Sequence, residues 1–242
     1  MLVNGVALEP DVSGGLFWPE RRVFVAADLH FEKGSAYARH GALLPPYDSH
    51  ATLGVLEEAM ARLAPELVIC LGDSFHDAGA GDRLEPNVRE RLTGLCAGRH
   101  WFWVAGNHDL SPPADLGGSC VDALAVGPLE FRHEPTQGAV TGEVCGHLHP
   151  CAGVAVKGRN LRRRCFVTDG ARLIMPSFGA YTGGLDVFED AIAGLFPGGF
   201  DVWIVGRDRV RAIKSARLSV PTRLAHGASA GKMASTARKG TR

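Results

Sequence analysis

The chain has six cysteines, Cys70, Cys96, Cys120, Cys145, Cys151 and Cys165, and no two of them form a CxxC pair. That scatter argues against a zinc-finger or thioredoxin-like motif, and a disulfide framework is not expected in a chain of 242 residues. Most of these thiols read as small buried hydrophobes. No apolar run reaches the roughly 18 residues that a membrane span needs, so no membrane association is expected. The opening MLVNGVALEP lacks a basic segment followed by an apolar one, which argues against a secretory signal. A cytoplasmic location is the resulting expectation. Internal repeats are lacking too. Net charge is absent, with 26 Lys/Arg against 26 Asp/Glu, but the balance is uneven. Residues 209–242 hold nine Lys/Arg and no acid, leaving residues 1–208 with 17 basic and 26 acidic side chains. An acidic body argues against a broad nonspecific grip on duplex nucleic acid, which needs Lys and Arg on phosphates.

What is present is enough apolar sequence for a real core, with 45% hydrophobic residues. Three runs, Val23–Ala27, Leu67–Leu71 and Trp101–Ala105, are β-branched or aromatic and suit a sheet covered on both faces. Between the first two, Leu53, Leu56, Met60 and Leu63 recur at helical spacing within His50–Leu63. Asn87–Leu95 is a second helical stretch. This βαβαβ order predicts parallel strands with active residues on the loops past their C-terminal ends. After residue 120 the apolar segments shorten: Val121–Val126, Leu129–His133, Val140–Cys145, Gly153–Val156, Cys165–Thr168, Leu173–Met175 and a closing Val202–Val205. Turn residues separate them, which predicts a second, largely antiparallel set of strands. The stretch from about Ser215, rich in Ala, Ser, Gly and basic residues, reads as a disordered basic tail.

The strand ends carry the chemistry. The first runs into Asp28-Leu29-His30, the second into Gly72-Asp73, the third into Gly106-Asn107-His108-Asp109. Further on come Phe131-Arg132-His133 and Gly146-His147-Leu148-His149. Asp-x-His on an extended segment would place both side chains on one face, within reach of one ion. Asp28, His30, Asp73, Asn107, His133, His147 and His149 together offer seven oxygen and nitrogen ligands and no thiolate. Such a set suits two divalent first-row ions, Mn²⁺ first, with Fe or Zn²⁺ as alternatives. Glycines 72, 106 and 146 fit tight strand-to-loop turns.

The set DLH, GD, GNHD and GHLH, in this order, resembles the calcineurin-like metallophosphoesterases. ADLHFEKGSAYARHG, LPPYDSH and LIMPSFGAYTGGLDVF narrow the resemblance to the bacterial DNA ligase-associated subfamily, described as DNA damage response endonucleases. The resemblance covers about residues 1–213 and implies an α/β fold, a four-layer α/β/β/α sandwich of two mixed sheets flanked by helices. Residues 214–242 would then be the tail. It further implies that Asp28, His30 and His149 hold one metal, that Asn107, His133 and His147 hold the other, and that Asp73 bridges them. His108 would protonate or stabilise the leaving alkoxide, with Asp109 orienting its ring. The implied activity is a metal-dependent phosphodiesterase or nuclease acting on nucleic acid in DNA repair, functionally linked to an ATP-dependent DNA ligase. A phosphodiesterase for small or cyclic nucleotides is the alternative within enzymes, and a non-catalytic scaffold of the same fold the alternative outside them.

Other features stay open at this level. His76 and Asp77 follow the GD pair. Arg162–Arg164 read as an exposed strand more readily than as a phosphate grip. Lys33 follows DLHFE closely. Pro176–Leu185 is either a packed turn or a cleft border that stacks a base. His40, His50, His100 and His226 read as ordinary, with His50 a possible helix cap.

Overall fold

A computed structural model describes residues 1–218, apart from 43, 46, 109–111, 157 and 158. Two β-sheets lie face to face between outer layers. In the first sheet, Val23–Ala27, Leu67–Leu71, His100–Val104 and Ser119–Val121 pair in parallel and in chain order. Leu16–Trp18 adds antiparallel to Val23–Ala27, and Glu9–Pro10 forms the edge beyond it.

Alternation along each strand divides the core. Phe24, Ala26, Val68, Cys70, Trp101 and Trp103 pack against the helices through Leu53, Leu56, Met60, Val88 and Leu92. Their neighbours Val23, Val25, Ala27, Ile69, Leu71 and Val104 face the second sheet through Phe131, Val144, Phe166 and Leu173. Both faces are therefore dry, which is why these strands read as continuous apolar runs. The covering helices are Asp48–Leu63 and Pro86–Cys96, each starting slightly earlier than its apolar spacing suggests.

The second sheet runs Val210–Lys214, Asp201–Val205, Arg159–Thr168, Arg172–Ile174, Glu143–Cys145, Leu129–Arg132 and Ala123–Val126, with Cys151–Val156 as a hairpin partner of Arg159–Thr168. It is mixed. Most of its pairings are antiparallel, as expected, while Leu129–Arg132, Glu143–Cys145 and Arg172–Ile174 are mutually parallel. Its outer face, with Cys145, Val167, Ile174, Val202 and Ile204, is covered by Val187, Ile192, Leu195 and Phe196. The fourth layer is thus one short helix, Asp190–Ala193, with its flanking loops.

The apolar stretch 121–126 is not one strand. Ser119–Val121 belongs to the first sheet and Ala123–Val126 to the second, with the chain crossing between them at Asp122. Val121, Leu124 and Val126 all pack on the inter-sheet core, so their hydrophobicity is the same on either side of the crossing. The strand Val210–Lys214 and a turn at Ser215–Arg217 end the described chain. The basic-tail expectation falls mainly on residues 219–242, outside the described residues.

Candidate metal centre

The C-terminal ends of the first sheet's parallel strands meet the loops of the second sheet at one point. Asp28 and His30 follow Val23–Ala27, Asp73 follows Leu67–Leu71, and Asn107 and His108 follow His100–Val104. His133 follows Leu129–Arg132, and His147 and His149 follow Glu143–Cys145. Asp28, His30 and His149 form one triad with converging ligand atoms, and Asp73, His133 and His147 form a second. The triads adjoin. His149 Nε2 lies 3.3 Å from Asp28 Oδ1, while His133 Nδ1 is 3.7 Å from that same oxygen and His133 Nε2 is 3.5 Å from Asp73 Oδ2. Asn107 Oδ1 is 2.9 Å from His133 Nε2, so the amide joins the second triad.

The backbone does not reach this arrangement by strand alternation. Asp28 (φ 54), His30 (φ 48), Asp73 (φ 43), His147 (φ 67) and His149 (φ 46) all sit in the left-handed region. Asp-x-His and His-x-His therefore act as kinked loops whose alternate residues turn inward, and the extended geometry expected for Asp28-Leu29-His30 is corrected. Left-handed backbone costs a non-glycine residue roughly 1–2 kcal/mol, so five together signal a functional constraint.

Glycines make the room. A Cβ on Gly72 (φ +72) would lie 2.1 Å from His133 Nδ1, and one on Gly146 would lie 2.6 Å from Asp28 Oδ2. The role of Gly146 is close approach rather than positive φ. The loop at 177–184 closes from behind. Phe178 N–H donates to Ala27 O and Gly179 N–H to Asp28 O, and a Cβ on Gly184 would lie 2.1 Å from His149 O. Two of the three consecutive arginines hold this loop. Arg164 is half-buried and donates to the carbonyls of Ser13, Ser177 and Phe178, and Arg162 donates to Gly184 O. Arg162 and Arg163 are exposed strand residues, as expected, and Arg164 departs from that expectation.

The donor set fits divalent cations. Among the described residues, both ring nitrogens of the buried His30 and Nε2 of His149 have no hydrogen-bond partner. Buried imidazole nitrogens are seldom left so, which marks one nitrogen of each ring as a ligand atom. His147 Nδ1 and His133 Nε2 face each other at 3.2 Å, an arrangement two neutral lone pairs tolerate only with a proton or cation beside them. His133 Nδ1 lies 3.3 Å from Leu71 O, a contact that places a ring proton on Nδ1. Burial, with the nearby His149 and Lys33, lowers the His30 pKa to about 3, so its ring stays neutral and available. Burial likewise lowers His147, helped by the charge of His133. For His133 burial also pulls downward, but the hydrogen bond to Asp73 and the charges of Asp28 and Asp73 leave it raised. Burial pushes Asp73 up, yet hydrogen bonds from His133 and the His108 amide hold its carboxylate below the usual range.

His108 differs from these residues. Its N–H donates to Asp73 Oδ1 at 2.9 Å, while its side chain is 45% exposed and Nε2 stays 4.0 Å from Asp73 Oδ2. It stands at the mouth of the centre, stacked on His76 at 5.5 Å. Asp109 lies outside the described residues. His50 is not a cap: it sits within the helix that starts at Asp48 and pairs with Glu85 at 3.0 Å. The sequence reading missed Glu32 and Ser49, a buried pair in which Ser49 Oγ donates to Glu32 Oε1 and accepts from the Glu32 N–H. Asp48, also missed, accepts from the Gly34 N–H at 2.9 Å. The adjacent Asp48-Ser49 in LPPYDSH was the available signal. These bonds fasten the loop after Asp28 and His30 to the long helix.

The Calcineurin-like phosphoesterase family matches residues 21–206, and the chain belongs to that family. With two adjoining triads at its strand ends it is a dinuclear-type metallophosphoesterase. Among solved structures it is similar to the nuclease MPE of Pseudomonas putida, with 28% identity, a TM-score of 0.68, and coverage of 88% of this chain and 98% of that one. Yfce, a phosphoesterase from E. coli, gives 17% identity and a TM-score of 0.38 over 79% of this chain and 98% of that one. No curated protein sequence matches. Among the described residues, no helix is long and apolar enough to cross a membrane.

Proposed function

We propose that this protein is a two-metal phosphodiesterase that cleaves nucleic acid as a nuclease. The observation that carries the reading is the junction of the two triads beneath an exposed histidine, in a chain similar over nearly its whole domain to Pseudomonas putida nuclease MPE. Asp28, His30 and His149 would hold one cation, Asn107, His133 and His147 the other, with Asp73 shared between them. The all-oxygen-and-nitrogen set favours Mn²⁺, with Fe or Zn²⁺ as alternatives. Bound there, the two cations would supply a hydroxide nucleophile near neutral pH and neutralise phosphoryl charge.

The chain's own residues do the rest. Asp73 anchors the His108 backbone through the 2.9 Å bond, which fixes where that imidazole can stand. His108, half-exposed at the mouth, meets the substrate side and gives its proton to the leaving alkoxide. The acidic body gives a small electrostatic footprint, so a short stretch of strand is gripped. DNA repair, and the link to an ATP-dependent DNA ligase, are the context that the motif resemblance supports.

The test is a side-by-side assay of Mn²⁺-supplemented protein on single-stranded DNA, nicked duplex, RNA, cyclic nucleotides and an aryl phosphodiester. Cleavage of a polynucleotide that weakens steeply with salt, beside salt-insensitive turnover of the aryl diester, is expected. Turnover of cyclic nucleotides and aryl diester with every polynucleotide left intact would overturn the nuclease reading.

A further inference from the structure

The short helix Lys33–Arg39 begins directly after the loop that carries Asp28 and His30. Lys33 and Tyr37 stand one turn apart on it, with the ammonium 6.0 Å from the phenol ring centroid. Neither residue has a role in binding the cations.

Lys33 is half-buried, and among the described residues it forms no salt bridge. Its nearest anionic influences are Asp48, Asp28 and Asp73. Asp48 already accepts from Gly34 N–H, and Asp28 and Asp73 are the carboxylates of the metal centre. Once those two neutralise cations, Asp48 is the one of the three carboxylates left to balance the ammonium, and it is not in ion-pair contact with it. A partly desolvated ammonium with no close ion-pair partner has room to take a further anion. Tyr37 is 41% exposed, and all three tyrosines of the chain are among its exposed large apolar side chains. Its ring is not isolated. It lies 5.8 Å from His76, which stacks on His108 at 5.5 Å and an interplanar angle of 15°. His30 meets both histidines edge-on, at 5.5 Å and 5.6 Å. A file of rings thus leads from the cation ligands out to a partly exposed phenol.

We propose that Lys33 and Tyr37 form a nucleotide subsite beside the reaction centre: Lys33 takes the phosphate next to the scissile one, and Tyr37 stacks the base of that nucleotide. The proposal rests on the nuclease reading and deepens it. A base must leave its stack to lie on Tyr37, so the subsite favours unpaired strand over duplex. The bland alternative is a cation–π pair that merely stiffens the short helix.

The two roles have different physical signatures. A single-strand phosphate contact contributes about 0.7 to the slope of log K against log salt, whereas stacking contributes affinity without changing that slope. The experiment is fluorescence anisotropy of a labelled phosphorothioate oligothymidylate with Mn²⁺-loaded protein between about 50 and 200 mM salt. Lys33→Gln is expected to reduce the slope by about 0.7. Tyr37→Ala is expected to weaken binding about tenfold at unchanged slope, with Tyr37→Phe and Tyr37→Trp retaining affinity. Thermal melts accompany each variant, and the conservative Phe and Trp replacements carry the test if Tyr37→Ala unfolds. An unchanged slope in Lys33→Gln, or Tyr37→Phe and Tyr37→Trp binding as weakly as Tyr37→Ala, would overturn the subsite while leaving the nuclease reading intact. Wild-type protein that neither binds the oligothymidylate nor cleaves its natural counterpart would overturn both.

Discussion

Replacing Gly72 by alanine tests the site and the fold at once. The added Cβ would lie 2.1 Å from Nδ1, 2.3 Å from Cγ and 2.6 Å from Cβ of His133. Ordinary contact begins near 3.4 Å, so the imidazole must retreat by roughly 1 Å, about twice the tolerance of a preorganised metal site. His133 cannot retreat freely, because its ring faces Asn107 at 2.9 Å and His147 at 3.2 Å. Overpacking of this kind costs about 1–3 kcal/mol. Gly72 also has φ +72, which adds about 1–2 kcal/mol for alanine. Together they amount to about 2–5 kcal/mol, a fall in Tm of roughly 5–15 °C for a domain of this size. Differential scanning fluorimetry and elemental analysis on the same preparation would read stability and metal content together. Gly54→Ala is the control. Gly54 lies inside the helix Asp48–Leu63 with nothing within 4 Å of its Cβ position, so alanine should stabilise by about 0.5–1 kcal/mol. A Gly72→Ala protein with wild-type Tm and an undiminished metal-to-protein ratio would refute the reasoning.

Asp73→Ala should remove metal and activity together, and full metal occupancy in that variant would sink the shared-ligand assignment. His108→Ala should lower kcat by about 100-fold while elemental analysis finds metal near the wild-type level; metal loss would make it structural. Arg164→Ala leaves the carbonyls of Ser13, Ser177 and Phe178 without their donor, a loss of about 2–4 kcal/mol visible in chemical denaturation. Arg164→Lys should rescue little, since an ammonium cannot span three acceptors as a planar fork does. For Asp11, burial pushes the carboxyl pKa up, but the hydrogen bonds from Arg62 and Ser13 and the charge of Arg62 hold it below its ordinary value. Its contribution is present above about pH 4 and is lost as pH falls through the lower folded value. Arg62→Gln should therefore shrink the Tm difference between pH 5 and pH 3, and an unchanged difference would contradict this.

Much of the first sheet could be read directly, because strands buried on both faces need apolar residues at every position. Val23–Ala27 and Leu67–Leu71 are examples, and the polar residues that end them announced where the chemistry would gather. The short edge pieces Glu9–Pro10 and Leu16–Trp18 escaped notice, since they are held by pairing to Val23–Ala27 rather than by a pattern of their own. The crossing at Asp122 left no mark, because both flanking strands bury side chains in one shared core. At the centre, residue types could be read but backbone could not. Nothing in Asp-Leu-His distinguishes an extended segment from a left-handed one. Only the tertiary bonds Asp28 N–H to Gly72 O and His30 N–H to Asp73 O reveal the kink. Arg164 was misjudged for a related reason. Its hydrogen-bond partners are backbone carbonyls from two distant loops, which no local pattern encodes.

The division of the centre between the sheets bears on how the protein is made. Asp28, Asp73 and Asn107 belong to the first sheet, while His133, His147 and His149 arrive with the second. A chain emerging from the ribosome exposes the first three well before the histidines exist, and each triad waits for at least one of them. Loop 177–184, which backs the Asp28 and His149 ligands, is synthesised later still. Cation capture is therefore a late event in biogenesis, coupled to the docking of two halves of the polypeptide. An enzyme built this way stays inert while nascent, so a partly made copy releases no stray phosphoesterase activity.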